Sequence, residues 1–206
     1  MQSGYRVTEW QLFEPGTIPK YTTTEWYVDR DRAPHLEDGA HSGRLEVAFD
    51  CAKQAIEEYG VRSVVDLGCG DGGLLSLIQF FDLSNHIKAW GYDLCPDNVD
   101  AARFERKVDA RYRNVITDEI EWGDLAICTE MLEHLLNPHA FVRRVAEHSP
   151  FIVASSPYIE TDQSHYAFHT WAWDQDGYRE LLEQAGYTVV RHETWSMFQI
   201  CLGRKS

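Results

Sequence analysis

The 206 residues are enough for one ordinary domain. Acidic side chains outnumber basic ones 33 to 19, for a formal net charge of -14. That balance argues against an affinity built on broad neutralisation of phosphates. Hydrophobic residues at 44% and aromatics at 13% supply a real core and exclude disorder for most of the chain.

No apolar run reaches the roughly 18 residues that span a bilayer, so no membrane partner is expected. The opening MQSGYRVTEW lacks a basic-then-apolar leader. Cys51, Cys69, Cys95, Cys128 and Cys201 contain no Cys-x-x-Cys pair, which disfavours a zinc knuckle or a disulfide framework. A reduced, cytoplasmic domain is the expectation.

Residues 1–42 are rich in Thr, Tyr, Trp, Pro and charge and hold no sustained period. They form an irregular lead, either a surface strap or a lid over a ligand site. Helical spacing starts at Gly43, with Leu45, Ala48, Phe49, Ala52 and Ile56 on one face, and Gly60 ends it. RSVVDL is a strand running into glycines, and GLLSLIQFF is the helix after it. HIKAWGYDL is a strand, and PDNVDAARFERK is a helix with Pro96 in its first turn. ARYRNVI is a weaker strand and DLAICTE a clearer one. LEHLLNPHAFVRRVAEH is helical, restarted by Pro138, and PFIVASSP is a buried strand. The aromatic stretch YIETDQSHYAFHTWAW is irregular. Asp174 caps a helix that Gly186 closes, and YTVVRHETW and SMFQICLG finish as antiparallel neighbours. Strands alternating with helices give an α/β fold with a mostly parallel sheet.

The most informative segment is the turn with Gly68, Gly70, Gly72 and Gly73, between a strand and a helix. Glycines let a ligand approach the main chain, and the helix start offers free N–H groups. Asp93 closes the next strand, roughly twenty residues on, where a carboxylate accepts from both hydroxyls of a ribose. An adenosine-type cofactor follows. Asp66 and Asp71 flank the turn, and carboxylates would repel a pyrophosphate. The ammonium and sulfonium of S-adenosylmethionine they would attract.

VVDLGCGDG, GYDL and DLAICTEMLEHL stand in the order of the motifs of the class I S-adenosylmethionine-dependent methyltransferases, and residues 43–202 resemble that family. The resemblance implies a Rossmann-like three-layer sandwich whose seven-stranded, mostly parallel sheet ends in an antiparallel strand. It implies a lead or lid over 1–42 and a methyltransferase domain over 43–206. It implies that Gly68, Gly70 and Gly72 line the methionine part of the cofactor, with Asp66 at the first strand end. Asp93 would hold the ribose, and Leu94 would pack on the adenine. Asn114 and Val115 would lie at the adenine, with Asp118 a rival, and Thr129 would edge the cofactor beside the acceptor. A hydride-transfer enzyme is the competing reading of such a fold.

Glu130, Glu133 and His134 share one face if their segment is helical. Two carboxylates and an imidazole can hold a divalent metal, provide a general base, or cap a helix. His165 and His169 return to the same sheet edge. The cluster is similar to two branches of the family. One is the ubiquinone O-methyltransferases. The other is the small-RNA 3′-terminal ribose methyltransferases of the Hen1 type, in which two Glu and two His hold a metal. His169-Thr170-Trp171-Ala172-Trp173 is similar to that branch's later pattern, but Ser164–Phe168 departs from it. The expected activity is methyl transfer to oxygen or nitrogen of a small-molecule acceptor. His134, His169 and Glu130 are the catalytic candidates. The alternative is a ribose 2′-O-methyltransferase acting on nucleic acid, with magnesium or manganese on Glu130, Glu133, His134 and His169. Trp171 and Trp173 either stack on a flat acceptor or pack the loop.

Overall fold

The computed structural model describes residues 8–82 and 86–205, so residues 1–7 of the expected lead lie outside the described residues. The lead holds β1 (Glu9–Gln11), a 3-10 turn at Lys20–Thr22 and α1 (Thr24–Val28). The body follows as α2 (Gly39–Tyr59), β2 (Ser63–Leu67), α3 (Gly73–Phe81), β3 (Lys88–Asp93), α4 (Pro96–Phe104) and β4 (Ala110–Tyr112). Next come β5 (Leu125–Thr129), a 3-10 turn at Leu132–His134, α5 (Pro138–His148) and β6 (Phe151–Pro157). β7 (Trp171–Trp173), α6 (Gln175–Gln184), β8 (Tyr187–Trp195) and β9 (Phe198–Lys205) complete it.

The seven-stranded sheet has the order β4-β3-β2-β5-β6-β9-β8. β2 through β6 pair in parallel, and β9 runs antiparallel to both β6 and β8. The antiparallel last strand is therefore as the sequence led one to expect. β5 is buried at every position because helices cover both faces of a parallel sheet. Alternation divides its side chains. Ala126 and Cys128 join Val65, Phe141, Val142, Trp173 and Leu182 in one core. Leu125 and Ile127 join Val64, Leu45, Ala48, Ile78 and Ile200 in the other.

Three local expectations shift. Helix α2 begins at Gly39, ahead of Gly43, so the border between lead and body falls inside a helix. The stretch 132–148 is broken: Pro138 disfavours helix in the residue before it, and the Asn137 side chain caps α5 by accepting from the Ala140 N–H at 2.9 Å. Trp171–Trp173 is a strand rather than loop, because β1 supplies its antiparallel partner, Glu9 facing Trp173. Gly177 makes that docking possible, since a Cβ there would meet the Thr8 carbonyl oxygen at 2.0 Å.

The chain leaves β2 for β3 and β4 on one side, then returns to β5 and β6 on the other. That reversal opens a crevice beyond the C-terminal ends of β2 and β5, where open α/β sheets bind ligands.

Candidate active site

A cleft of about 1110 Å³ lies at those strand ends. Asp66, Gly68, Gly70, Asp93, Leu94, Asn114, Val115 and Thr129 line it, as do Glu130, Glu133, His134 and His169. Gly72 does not. It caps α3 at φ 79°, and a Cβ there would sit 2.7 Å from Val108 Cγ2 and 2.9 Å from Ala102 Cβ. Gly72 thus packs closely against Ala102 of α4 and against Val108 beyond it, and unlike Gly68 and Gly70 it is not among the residues that line the cleft. Gly68 and Gly70 adopt φ 93° and 54°, where glycine carries no steric penalty. A Cβ on Gly68 would touch Met131 at 3.6 Å, an ordinary van der Waals contact, so a methyl has room there, at the lining of the cleft.

Asp93 is held ready by its surroundings. Its carboxylate accepts from Gly70 N–H and Cys95 N–H, both at 2.8 Å, and from the Asn98 amide at 3.3 Å. Asp66 is 2% exposed, and its Oδ1 has no hydrogen-bond partner. Burial, then the nearby Asp93 charge, pushes its carboxyl up to about 7. An orphaned buried carboxylate beside a cleft suits a cationic group of a ligand. Asp71 plays a different part from the one expected. Arg32 of the lead (2.9 Å) and Arg106 (2.8 Å) clamp its carboxylate, so its charge is already neutralised. Asn114 is occupied too: its oxygen accepts from Ile116 N–H at 2.9 Å and its amide donates to Thr24 Oγ1 at 2.9 Å.

The other half of the cleft holds the carboxylates and imidazoles. Glu130 is not on the face of Glu133 and His134. Its φ of 51° takes the backbone out of helical register, and its carboxylate accepts from Ser155 Oγ at 2.8 Å. Glu133, His134 and His169 do converge, with potential ligand atoms all within 4.8 Å of one another. Thr170 brings His169 there: its N–H and its hydroxyl both reach the Glu133 carbonyl, at 2.6 and 2.7 Å. The His134 Nδ1 lies 3.1 Å from the Phe168 carbonyl, which can only accept. That bond makes Nδ1 the protonated nitrogen and leaves Nε2 with a lone pair. Burial, then the neighbouring His169, pushes the His134 imidazole down to about 3. His169 Nδ1 is 2.6 Å from Glu160 Oε2, so its Nε2 is likewise the free nitrogen. Glu133 is 1% exposed and neither carboxylate oxygen has a partner. Burial, reinforced by Glu130, raises its carboxyl well above the ordinary range.

The lead covers both halves. Tyr21 and Trp26 pack on Phe168 at 5.7 and 5.1 Å, and the Tyr27 ring stands 6.4 Å from His134. On the cofactor side, the Arg30 backbone carbonyl accepts from the Cys95 thiol at 3.0 Å and Ala33 N–H donates to Asn98 Oδ1 at 3.0 Å.

Residues 30–193 match a family model described as a methyltransferase domain. The chain belongs to that family. It is an S-adenosylmethionine-dependent methyltransferase of class I. Among curated proteins, none matches the methyltransferase in sequence. Solved structures share its fold. The N-terminal domain of EvdMO1 with S-adenosylhomocysteine bound is 16% identical, with a TM-score of 0.60 over 84% of this chain and 85% of that one. The methyltransferase domain of bacterial CtHen1-C is 19% identical, with a TM-score of 0.61 over 79% and 97%. The [4+2]-cyclase SpnF is 14% identical, with a TM-score of 0.64 over 87% and 85%. At such identities the likeness speaks to the fold alone.

Two residues of the methyltransferase escaped the sequence reading. Glu160 lies in the aromatic stretch, and no spacing rule ties it to His169. Arg44 is 1% exposed, and it stands on the apolar stripe of α2 with Ala48, Cys51 and Ala55. A charge on that stripe was the available signal.

Proposed function

We propose that the methyltransferase moves a methyl group to a hydroxyl of a small acceptor, with His169 as general base and Glu160 as its positioning residue. The Glu160–His169 hydrogen bond of 2.6 Å carries this reading. A carboxylate on Nδ1 fixes the tautomer, leaves Nε2 to take the hydroxyl proton, and stabilises the imidazolium that forms. His134 is not given this role, because its burial disfavours the charged form. S-adenosylmethionine supplies a methyl group made electrophilic by its sulfonium. Asp66 would face the cationic end, Gly68 and Gly70 would admit it, and Asp93 would take the ribose. The acceptor must then be aligned with the methyl group, which is the larger part of the catalysis. Residues 18–27 act as a lid over the acceptor chamber, and this enclosure favours a small molecule over a polymer.

The test is a screen with labelled S-adenosylmethionine over hydroxyl and amine acceptors, paired with their blocked analogues. Labelling of phenols or alcohols but not of their methyl ethers is expected. Labelling confined to amines would overturn the oxygen assignment.

A second reading rests on Glu133, His134 and His169. Glu133 has two unpartnered buried oxygens beside two free imidazole nitrogens, a donor set that suits a divalent cation. Glu130 would stay outside that set. Such a cation would orient the hydroxyls of a diol, the ribose of RNA included. Activity lost on chelation and restored by magnesium or manganese supports this reading. Activity indifferent to chelation removes it.

A further inference from the structure

Two imidazoles remain unused by the chemistry above. His35 belongs to the lead and His41 to the first turns of α2. Their rings stack at 4.7 Å with 25° between planes. Both line the cleft at its cofactor end, and a Cβ on Gly70 would lie 4.0 Å from His35 Nδ1. His41 also packs on Phe198 at 5.3 Å, and the Arg44 guanidinium lies over the same ring at 5.5 Å. His41 Nδ1 and Arg44 Nε are both buried without a hydrogen-bond partner. A buried guanidinium and an orphaned imidazole nitrogen are costly unless something negative arrives. Burial and the Arg44 charge together hold His35 down at about 4 and lower His41 as well, so both rings are neutral near pH 7.

The carboxylates close by do not meet this need. Arg44 Nη1 donates to Ser155 Oγ at 3.4 Å and that hydroxyl donates to Glu130, so Glu130 meets the Arg44 charge only through Ser155, while Arg44 Nε stays unpartnered and Asp66 keeps an orphaned Oδ1. Next to each other, therefore, stand one site short of a cation and one short of an anion. A zwitterion satisfies both.

We infer that His35 and His41, backed by the Arg44 charge, form the seat for the carboxylate of the cofactor's amino-acid tail, opposite Asp66 for its ammonium. The lead thereby becomes part of the cofactor site rather than only its cover. Each neutral imidazole donates one N–H, and a hydrogen bond to a charged acceptor is worth more than one between neutral groups. This inference rests on S-adenosylmethionine being the cofactor and concerns which of this chain's residues hold its tail.

Calorimetry on the full chain separates the possibilities. S-adenosylhomocysteine carries the amino-acid tail, and 5′-methylthioadenosine has the same adenosine and sulfur without it. In His35→Leu and His41→Leu, the dissociation constant for S-adenosylhomocysteine should rise about tenfold or more. That for methylthioadenosine should stay within about twofold, and its retained binding shows that the variants are folded. His35→Gln, which restores a donor, should recover most of the loss. Parallel weakening of both ligands, or no weakening of either, overturns the inference and leaves the cofactor assignment standing. A wild-type protein that binds neither ligand overturns both.

Discussion

Replacing Gly72 with alanine separates packing from ligand binding within one glycine turn. At φ 79° an L-residue sits in the left-handed region, which costs about 1–2 kcal/mol. The added methyl also meets Val108 at 2.7 Å and Ala102 at 2.9 Å, and overpacking of that kind costs typically 1–3 kcal/mol. Together the loss is about 2–5 kcal/mol, a large share of the roughly 5–15 kcal/mol that hold a domain folded. Gly68→Ala meets nothing closer than 3.6 Å, so only the backbone cost of about 1–2 kcal/mol applies. Its methyl, however, would be added to the lining of the cleft beside Met131. Urea unfolding and S-adenosylhomocysteine calorimetry on both variants give the comparison. Gly72→Ala should lose far more stability and bind normally while folded. Gly68→Ala should lose little stability and bind weakly. A Gly72→Ala protein that unfolds at the wild-type midpoint would refute the packing argument.

Further outcomes follow from the same geometry. His169→Ala should lower kcat on a hydroxyl acceptor by about 10²–10⁴-fold, and Glu160→Gln by roughly tenfold with little change in KM, because only the charge on the positioning bond is lost. Steady-state kinetics checks both, and an unchanged kcat in Glu160→Gln would detach Glu160 from the base. Asp66 has a folded-state value near 7, above its ordinary 3.8, so its contribution to stability is fully present below about pH 4 and is lost as pH rises through 7. Asp66→Asn should therefore stabilise the ligand-free protein at pH 8, by at most on the order of 4 kcal/mol, while weakening cofactor binding. Thermal unfolding at pH 4.5 and 8 measures it; a variant destabilised equally at both values contradicts the assignment. Gly177→Ala drives a methyl into the Thr8 carbonyl at 2.0 Å. Limited proteolysis should then cleave the lead faster than in wild type, with the body left intact.

The alternation of strands and helices, the glycine turn and Asp93 were legible because each depends on neighbours in sequence. A parallel strand covered by helices is apolar on both faces, and a tight turn favours glycine where φ is positive. Glycine is the favoured residue there rather than an obligatory one, as Glu130 at φ 51° shows, but these local preferences still leave a mark at fixed spacing, so the fold, the cofactor class and the location of the cleft could be read from the chain. What side chains do across the cleft leaves no such mark. Asp71 reads in sequence as a partner for a cation, yet Arg32 and Arg106 hold it, one from the lead and one from the turn just past α4. Glu130 shared a spacing with Glu133 and His134, yet a left-handed backbone turned it to Ser155. The pairing of Glu160 with His169, the burial of Arg44 and the stacking of His35 on His41 join segments that only the folded chain makes neighbours. Sequence spacing constrains contacts within a turn, a helix or a strand. Contacts between elements are decided by packing, and packing is what assigned most of these charges their partners.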